Sequence, residues 1–158
     1  MFRKIRRVKN EISIEDAKNL LTNNKRGVLS LNGDGGYPYA FPINFYYEKS
    51  ENKIYFHGAK RGHKIDAMLN NPKACFTTYD NGILSEDGWS YYVSSAVVFG
   101  KMELVDDEKI ALEKVRKLSA KYYPNAQLID DAVKESFAAV QIFALNIEHI
   151  SGKRVNER

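Results

Sequence analysis

Alternation of apolar and polar residues along most of the chain predicts six β-strands. The clearest alternation lies in residues 39–45, where Tyr39, Phe41, Ile43 and Phe45 are separated by Ala40, Pro42 and Asn44. The other predicted strands cover residues 28–31, 53–58, 73–79, 91–104 and 139–150, with an irregular loop at 80–89. Six strands with few helices between them favour a mainly β (α+β) fold built on a small antiparallel barrel.

Apolar residues at helical spacing predict four short helices with start and stop signals at their ends. The first is capped by Ser13, with Asp16 three residues on, and the second ends at Asn71-Pro72. The third follows Asp106, Asp107 and Glu108 and is closed by Pro124, and the fourth lies near residues 130–137. The predicted buried faces are Ile14, Ala17, Leu20 and Leu21 in the first helix, Ile65, Met68 and Leu69 in the second, and Ile110, Val115, Leu118 and Tyr122 in the third.

The second helix begins in a cluster of cations formed by Lys60, Arg61, His63 and Lys64. Because the N-terminus of a helix carries partial positive charge, this crowding is unfavourable unless an anion binds there. Glycines at 58 and 62 would permit the close backbone approach that a phosphate site needs. The alternative is a solvated charge run that happens to precede a helix, and the pattern alone leaves both interpretations open.

Pro42 lies inside a predicted strand, although proline cannot donate to a hydrogen-bonded ladder. The strand is therefore expected at a sheet edge or a bulge, where free main-chain groups can face a ligand. The alternative is that Asn44 satisfies only a turn or a barrel end.

Composition narrows the class of protein. The 158 residues suit one domain, taken here as residues 1–158, and the net charge of +4 lies largely in the termini, so neither a nucleic-acid groove nor a membrane surface is indicated. The single cysteine, Cys75, lies in an apolar run and is predicted to be a buried packing residue, which suits a reducing compartment. The absence of a signal-like apolar stretch and of an 18-residue apolar run leads us to expect a cytoplasmic protein. No metal site is expected.

The strand with FHGA at 56–59, the basic loop and the helix ending in Asn-Pro resemble the phosphate-binding segment of the pyridoxamine 5′-phosphate oxidase-like flavoproteins. Within that superfamily, the basic start FRKIRRVKNEI, the motif GGYPYAFPINFYYE and the HGA at 57–59 resemble the 5-nitroimidazole resistance (Nim) branch. The likeness extends over nearly the whole chain.

The resemblance implies a six-stranded antiparallel split β-barrel that binds FMN between the two subunits of a homodimer. It also implies an FMN-dependent oxidoreductase acting on a small molecule such as a nitroaromatic compound. The positions carried over as cofactor contacts are Phe41, Pro42, Ile43, Asn44, His57, Gly58, Ala59, Arg61, His63, Lys64 and Ser95.

His57 is the candidate catalytic residue, because an imidazole with an ordinary pKa near 6.5 could donate a proton to a reduced substrate. The equally open alternative is a histidine that binds the cofactor phosphate or a backbone carbonyl. Ser95 stands where the oxidases carry a glutamine, and it could instead be only a tolerated strand residue.

Residues 140–158 contain no tryptophan and no Arg/His pair suited to pyridoxal phosphate, which disfavours vitamin B6 oxidation. One rival interpretation is a non-catalytic flavin- or haem-binding barrel with His57 or His149 as the axial ligand. A nucleic-acid-binding module that uses the basic N-terminus is the other, and it lacks an aromatic-interleaved basic stripe.

Overall fold

The computed structural model describes residues 1–158 and contains one antiparallel sheet of eight strands with four α-helices packed around it. The strands are β1 (Arg26–Asn32), β2 (Pro38–Asn44), β3 (Tyr46–Glu48), β4 (Lys53–Ala59), β5 (Lys73–Tyr79), β6 (Ile83–Leu84), β7 (Tyr91–Val105) and β8 (Val140–Asn156). The helices are α1 (Ile14–Asn23), α2 (His63–Asn70), α3 (Glu108–Ala120) and α4 (Ala126–Ser136).

The predicted mainly β fold is confirmed, but the expected number of six strands is too low. The two additional strands, β3 and β6, have only three and two residues, so alternation could not reveal them. β6 lies inside the segment expected to be an irregular loop and pairs with the start of β7. β8 extends to Asn156, six residues beyond its predicted end at 150, because it pairs with β7 along nearly its whole length.

The sheet curls into a barrel because one chain segment supplies both of its edges. The strand order is β2-β1-β5-β7-β8-β4-β3, so β2 and β3 lie at opposite ends although only Phe45 separates them in sequence. On one side of Phe45 the segment pairs with β1, and on the other side it pairs with β4. No ladder joins β2 to β4, and the barrel is therefore split between these two strands, as the resemblance implied.

The long pair β7–β8 is kinked by a bulge between Phe99 and Gly100, where the register with β8 shifts by one residue. A Cβ atom at Gly100 would lie 2.0 Å from the carbonyl oxygen of Asn146, so only glycine permits this approach of the two backbones. The barrel interior is filled chiefly by four phenylalanines with no exposed surface: Phe45, Phe56, Phe76 and Phe143.

The cap predicted at Ser13 for the first helix is present, and the third helix, predicted to follow a run of acidic residues, is capped by one of them, Asp107. The side chains of Ser13 and Asp107 accept hydrogen bonds from the backbone N–H groups of Asp16 and Ile110, each at 3.0 Å. Ala17, Leu21, Val115 and Leu118 are buried as expected. The predictions for Ile14, Leu69 and Ile110 are wrong, since these side chains are 50%, 66% and 45% exposed and point away from the sheet. The fourth helix starts at Ala126, not near 130, because Asn125 caps it through the N–H of Leu128.

A buried charge cluster fixes α3 to the β3–β4 turn. The Lys114 ammonium is 2% exposed and lies 2.5 Å from Glu51 and 3.6 Å from Glu48, while Lys117 lies 2.6 Å from Glu48. Because the buried Lys114 and Glu48 each have partners of opposite charge, these charges are compensated within the fold and fix the position of α3.

Two other predictions concern the burial of Cys75 and the presence of a membrane-spanning segment. Cys75 is half-buried rather than fully buried, and its burial raises the pKa of its thiol, which makes it a weak nucleophile. No helix is long and apolar enough to cross a membrane.

Candidate functional site

The split between β2 and β4 exposes two unpaired strand edges. β2 is the terminal strand of the sheet, and Pro42 pairs only with Val28 of β1, which confirms that this proline lies on an edge strand. Along β2, Phe41 and Ile43 are half-buried while Pro42 and Asn44 are exposed. The outer main-chain groups of this edge are therefore available to a ligand.

The opposite wall of the split is the second half of β4. His57, Gly58 and Ala59 pair with β8 on one side, but the pairing of β4 with β3 on the other side stops at Tyr55. Phe56 points into the core and has no exposed surface, whereas His57 points outward. The expected direction of the His57 ring, away from the core, is confirmed.

A tyrosine closes one end of the split. The Tyr122 hydroxyl accepts a hydrogen bond from the backbone N–H of Phe45 at 2.8 Å and lies 2.5 Å from the carbonyl oxygen of Lys25. It also lies 2.9 Å from the carbonyl oxygen of Phe45. This hydroxyl therefore fixes the corner at which the chain passes from β2 to β3.

The start of α2 closes the other end, and it lacks a side-chain cap. Gly62 occupies the cap position with φ at +117°, a conformation that favours glycine. The first backbone N–H groups of a helix have no partner within the helix, and here no side chain accepts from them. Those groups, together with the partial positive charge of the helix end, favour an anion.

The Lys64 ammonium lies in the split. Its Nζ is 4.5 Å from the centroid of the Phe41 ring on β2 and 5.8 Å from that of Phe143 on β8. The side chain is half-buried and forms neither a hydrogen bond nor an ion pair, and burial lowers its pKa. A Cβ atom at Gly58 would lie 3.6 Å from this Nζ and 3.3 Å from Phe143, so glycine keeps the space around the ammonium open.

The His63 side chain points to a different place from that of Lys64. Its ring stacks on Tyr39 with centroids 4.1 Å apart, and its Nε2 is 3.7 Å from a carboxylate oxygen of Asp34. It therefore lies over the turn between β1 and β2, and Tyr39 in turn touches Phe41, with centroids 4.8 Å apart. Arg61 is exposed and has no ion-pair partner.

The electrostatic state of His57 differs from the sequence expectation. Partial burial, and then the nearby Lys64 ammonium, lower the pKa of His57 below its ordinary value of 6.5. The imidazole is therefore neutral at neutral pH and carries one N–H donor and one free nitrogen acceptor. It forms no hydrogen bond with the rest of the chain.

A cavity of about 270 Å³ adjoins the split on the side of α3 and α4. Asn44 and His57 form its wall toward the split, and both side chains lack hydrogen-bond partners. The remaining lining residues come from α3, α4 and the segments that follow them: Val115, Leu118, Ser119, Tyr122, Tyr123, Ala132, Val133, Ser136, Phe137 and Val140.

Sequence reasoning missed this cavity, which we name the α3–α4 cavity. The available signal was the apolar spacing of Ala132, Val133 and Phe137 on one face of α4, which indicates a covered surface. The pattern does not say that a gap is left beneath that face.

Ser95 does not join the other predicted site residues within the chain. It pairs with Tyr79 of β5 and Lys153 of β8, in the first half of β7. His57 of β4 and Val105 of β7 both pair with Ile142 of β8, so Val105 is the residue of β7 that lies across the sheet from His57. Ser95 lies ten residues away from Val105 along β7. The structure thus brings together residues 41–44, 57–59 and 64, with His63 and Arg61 at the rim of this group.

The family profile described as pyridoxamine 5′-phosphate oxidase matches residues 13–154, and the chain belongs to this family. No curated protein matches the chain. Similar solved structures include a candidate 5-nitroimidazole antibiotic resistance protein from Bacteroides thetaiotaomicron, with a TM-score of 0.77 and 22% identity over 92% of this chain and 87% of that one.

Two further similar structures are described by what they bind. A FAD-binding protein from Mesorhizobium loti has a TM-score of 0.66 and 24% identity, covering 92% of this chain and 96% of its own. A FAD and haem binding protein from Mycobacterium smegmatis has a TM-score of 0.71 and 22% identity, covering 92% of this chain and 72% of its own. At these identities the likeness establishes the split-barrel fold.

Proposed function

We propose that this protein is an FMN-dependent oxidoreductase that works as a homodimer and reduces a small molecule such as a nitroaromatic compound. The observation that carries the proposal is the half-buried, unpaired Lys64 ammonium, held between two free strand edges at the uncapped start of a helix. A desolvated cation without a counter-ion is costly, and a phosphate would supply the missing negative charge.

The residues of the split fit a flavin mononucleotide. Lys64 and the backbone N–H groups at the start of α2 would bind its phosphate, with His63 and Arg61 at the rim. The Phe41 ring and the free main-chain edge of residues 41–44 would contact the flavin ring, and Gly58 and Ala59 would permit its close approach along β4. Bound there, FMN would supply the two-electron redox chemistry of the enzyme.

His57 would act next to the cofactor through its neutral N–H. The nearby Lys64 charge contributes to its lowered pKa, and an anion bound at Lys64 would offset that contribution. Phosphate binding would therefore bring the imidazole closer to the range in which it delivers a proton at neutral pH.

The second subunit of the proposed dimer would cover an apolar surface on the β5–β7 side of the barrel. This surface exposes Tyr79, Ile83, Leu84, Trp89, Tyr91 and Tyr92, of which Tyr79 and Trp89 are 66% and 63% exposed. Exposed apolar side chains concentrated at one end of a sheet favour an interaction site there. Ser95, which lies on the same part of β7, would then face the flavin of the partner subunit. We place this dimer in the cytoplasm, where a lone Cys75 suits the reducing conditions.

A second candidate function is a non-catalytic flavin- or haem-binding protein. The observation that favours it is the neutral His57 imidazole, which lines a mostly apolar cavity and has one unprotonated nitrogen that could serve as an axial ligand. His149 is less suited, because its ring is stacked on Phe2 with centroids 4.8 Å apart.

The deciding experiment is to denature the purified protein and identify the released chromophore by chromatography and mass. We expect FMN in an amount close to one molecule per chain. Release of haem without flavin would overturn the proposal, and release of FAD would correct the cofactor while leaving the site in place.

A further inference from the structure

We infer that the α3–α4 cavity binds the ring of the substrate, and that this ring belongs to a neutral, apolar, monocyclic compound with one hydrogen-bond acceptor. The inference rests on the proposed function, because it places the substrate beside the flavin. It assigns the selection of the substrate ring to residues of this chain, because the flavin itself does not supply that selectivity.

The lining of the cavity excludes charged ligands. Eight of its twelve residues are hydrophobic, and none carries a formal charge when His57 is neutral. Moving a carboxylate or a phosphate into such surroundings without a counter-ion costs several kcal/mol or more. The cations of the site lie at the α2 end of the split, so charged groups are drawn there and not into the cavity.

The size and shape of the cavity favour a single ring. Its volume of about 270 Å³ lies just below the ~300–1,000 Å³ typical of pockets for drug-sized ligands. The rings of Tyr122, Tyr123 and Phe137 line it, and aromatic side chains pack well against another ring in offset or edge-to-face contact.

The polar groups of the cavity are concentrated where it meets the split. Asn44 comes from β2 and His57 from β4, and neither side chain has a hydrogen-bond partner in the chain. Each of these side chains can donate an N–H hydrogen bond, so a carbonyl or similar acceptor on the ligand can bind at this wall. That orientation places the polar substituent of the ring next to the proposed flavin and leaves the ring beneath α4.

Helix α4 forms the cover of the cavity through Ala132, Val133 and Ser136. None of its residues is fully buried, so the helix is a lightly packed cover. Ala132 is half-buried and lines the cavity, so a large side chain at this position would occupy the ligand volume. Ala126, at the start of the same helix, is exposed and lies outside the lining, which makes it a matched control.

The test compares acetophenone with benzoate, two single-ring probes of similar size that differ in charge. Isothermal titration into the purified, flavin-loaded protein is expected to show saturable acetophenone binding and at least tenfold weaker benzoate binding. Ala132→Trp should weaken acetophenone binding at least tenfold, whereas Ala126→Trp should leave it unchanged. Both variants should retain their flavin absorbance.

Equal affinity for the two probes, or undiminished binding of acetophenone by Ala132→Trp, would overturn the inference. So would competition between acetophenone and FMN added to flavin-free protein, because the cavity would then hold part of the flavin. If Ala132→Trp does not fold, nuclear Overhauser contacts between acetophenone and the Val133 methyl groups decide the location. Flavin content is measured on the same samples, so loss of the cofactor is distinguished from loss of the cavity ligand.

Discussion

Replacing Lys64 by methionine removes the ammonium from the split while keeping a flexible apolar chain of similar length. The Lys64 Nζ has no hydrogen-bond acceptor, and in the flavin-free protein its cation–π contacts with two aromatic rings offset only part of the cost of desolvating its charge. We therefore expect Lys64→Met to leave the stability of the flavin-free protein unchanged or to raise it slightly.

The same change should weaken FMN binding substantially. A charge-assisted hydrogen bond to a phosphate is worth about 1.5–3 kcal/mol, which corresponds to about a ten- to hundredfold loss of affinity. Riboflavin lacks the phosphate, and its affinity should be nearly equal for the wild type and the variant. A matched control is Lys73→Met, because Lys73 is an exposed lysine on β5 without an ion-pair partner.

Titration of flavin fluorescence measures both affinities, and chemical denaturation measures the stability. If Lys64→Met weakened riboflavin and FMN to the same extent, Lys64 would act through folding. A marked loss of stability in the flavin-free variant would likewise contradict the view that this ammonium is held in the split for a ligand.

Other predictions follow from particular contacts. The hydrogen bond from Lys117 lowers the pKa of Glu48 from its usual 4.5 to about 2. The Glu48 carboxylate therefore stabilises the fold above about pH 4.5, and this stabilisation is lost as the pH falls toward 2. Glu48→Gln should remove up to about 3 kcal/mol at neutral pH and flatten acid denaturation in that window, measured by circular dichroism. Tyr122→Phe should lower the free energy of unfolding by about 1–3 kcal/mol, measured by chemical denaturation, because it leaves the buried Phe45 N–H without a partner. Its control, Tyr123→Phe, loses no hydrogen bond and should leave the stability unchanged. NMR titration should give a higher pKa of His57 in the FMN complex than in the riboflavin complex, because both flavins bury the ring but only FMN brings a phosphate to Lys64. Equal values in the two complexes would place the phosphate away from Lys64. Light scattering of the diluted protein should give a dimer, and a monomer that still binds FMN stoichiometrically would contradict an interfacial flavin.

Local patterns in the sequence were sufficient to predict most elements of the fold. The bounds of β5 at 73–79 agree with the structure, as do the cap at Ser13 and the acidic start of the third helix. These features depend on residues close together in the chain, where period and capping chemistry act directly. The exposed positions of Ile14 and Ile110 show the limit of such patterns, because periodicity does not tell how wide a buried face is.

The cation cluster at the start of α2 was also visible in the sequence, but two of its members, His63 and Lys64, have separate positions in space. Only the folded chain shows that Lys64 lies over Phe41 in the split while His63 stacks on Tyr39. Adjacent residues on a helix point about 100° apart, so a sequence cluster does not imply a single cluster of side chains.

The sequence by itself therefore determined most of the elements, their order and the crowding of cations at one helix start. The tertiary structure alone decided the closure of the barrel, the position of Ser95 far from the other site residues, and the α3–α4 cavity. Each of these features depends on contacts between strand edges and helix faces that are far apart in the sequence. For example, Asn44 and His57 line one cavity with residues 115–140, which lie more than forty positions further along the chain. Hydrophobic pattern specifies that a face is buried, whereas the partner that buries it, and the gap left between them, are set by the packing of the whole chain.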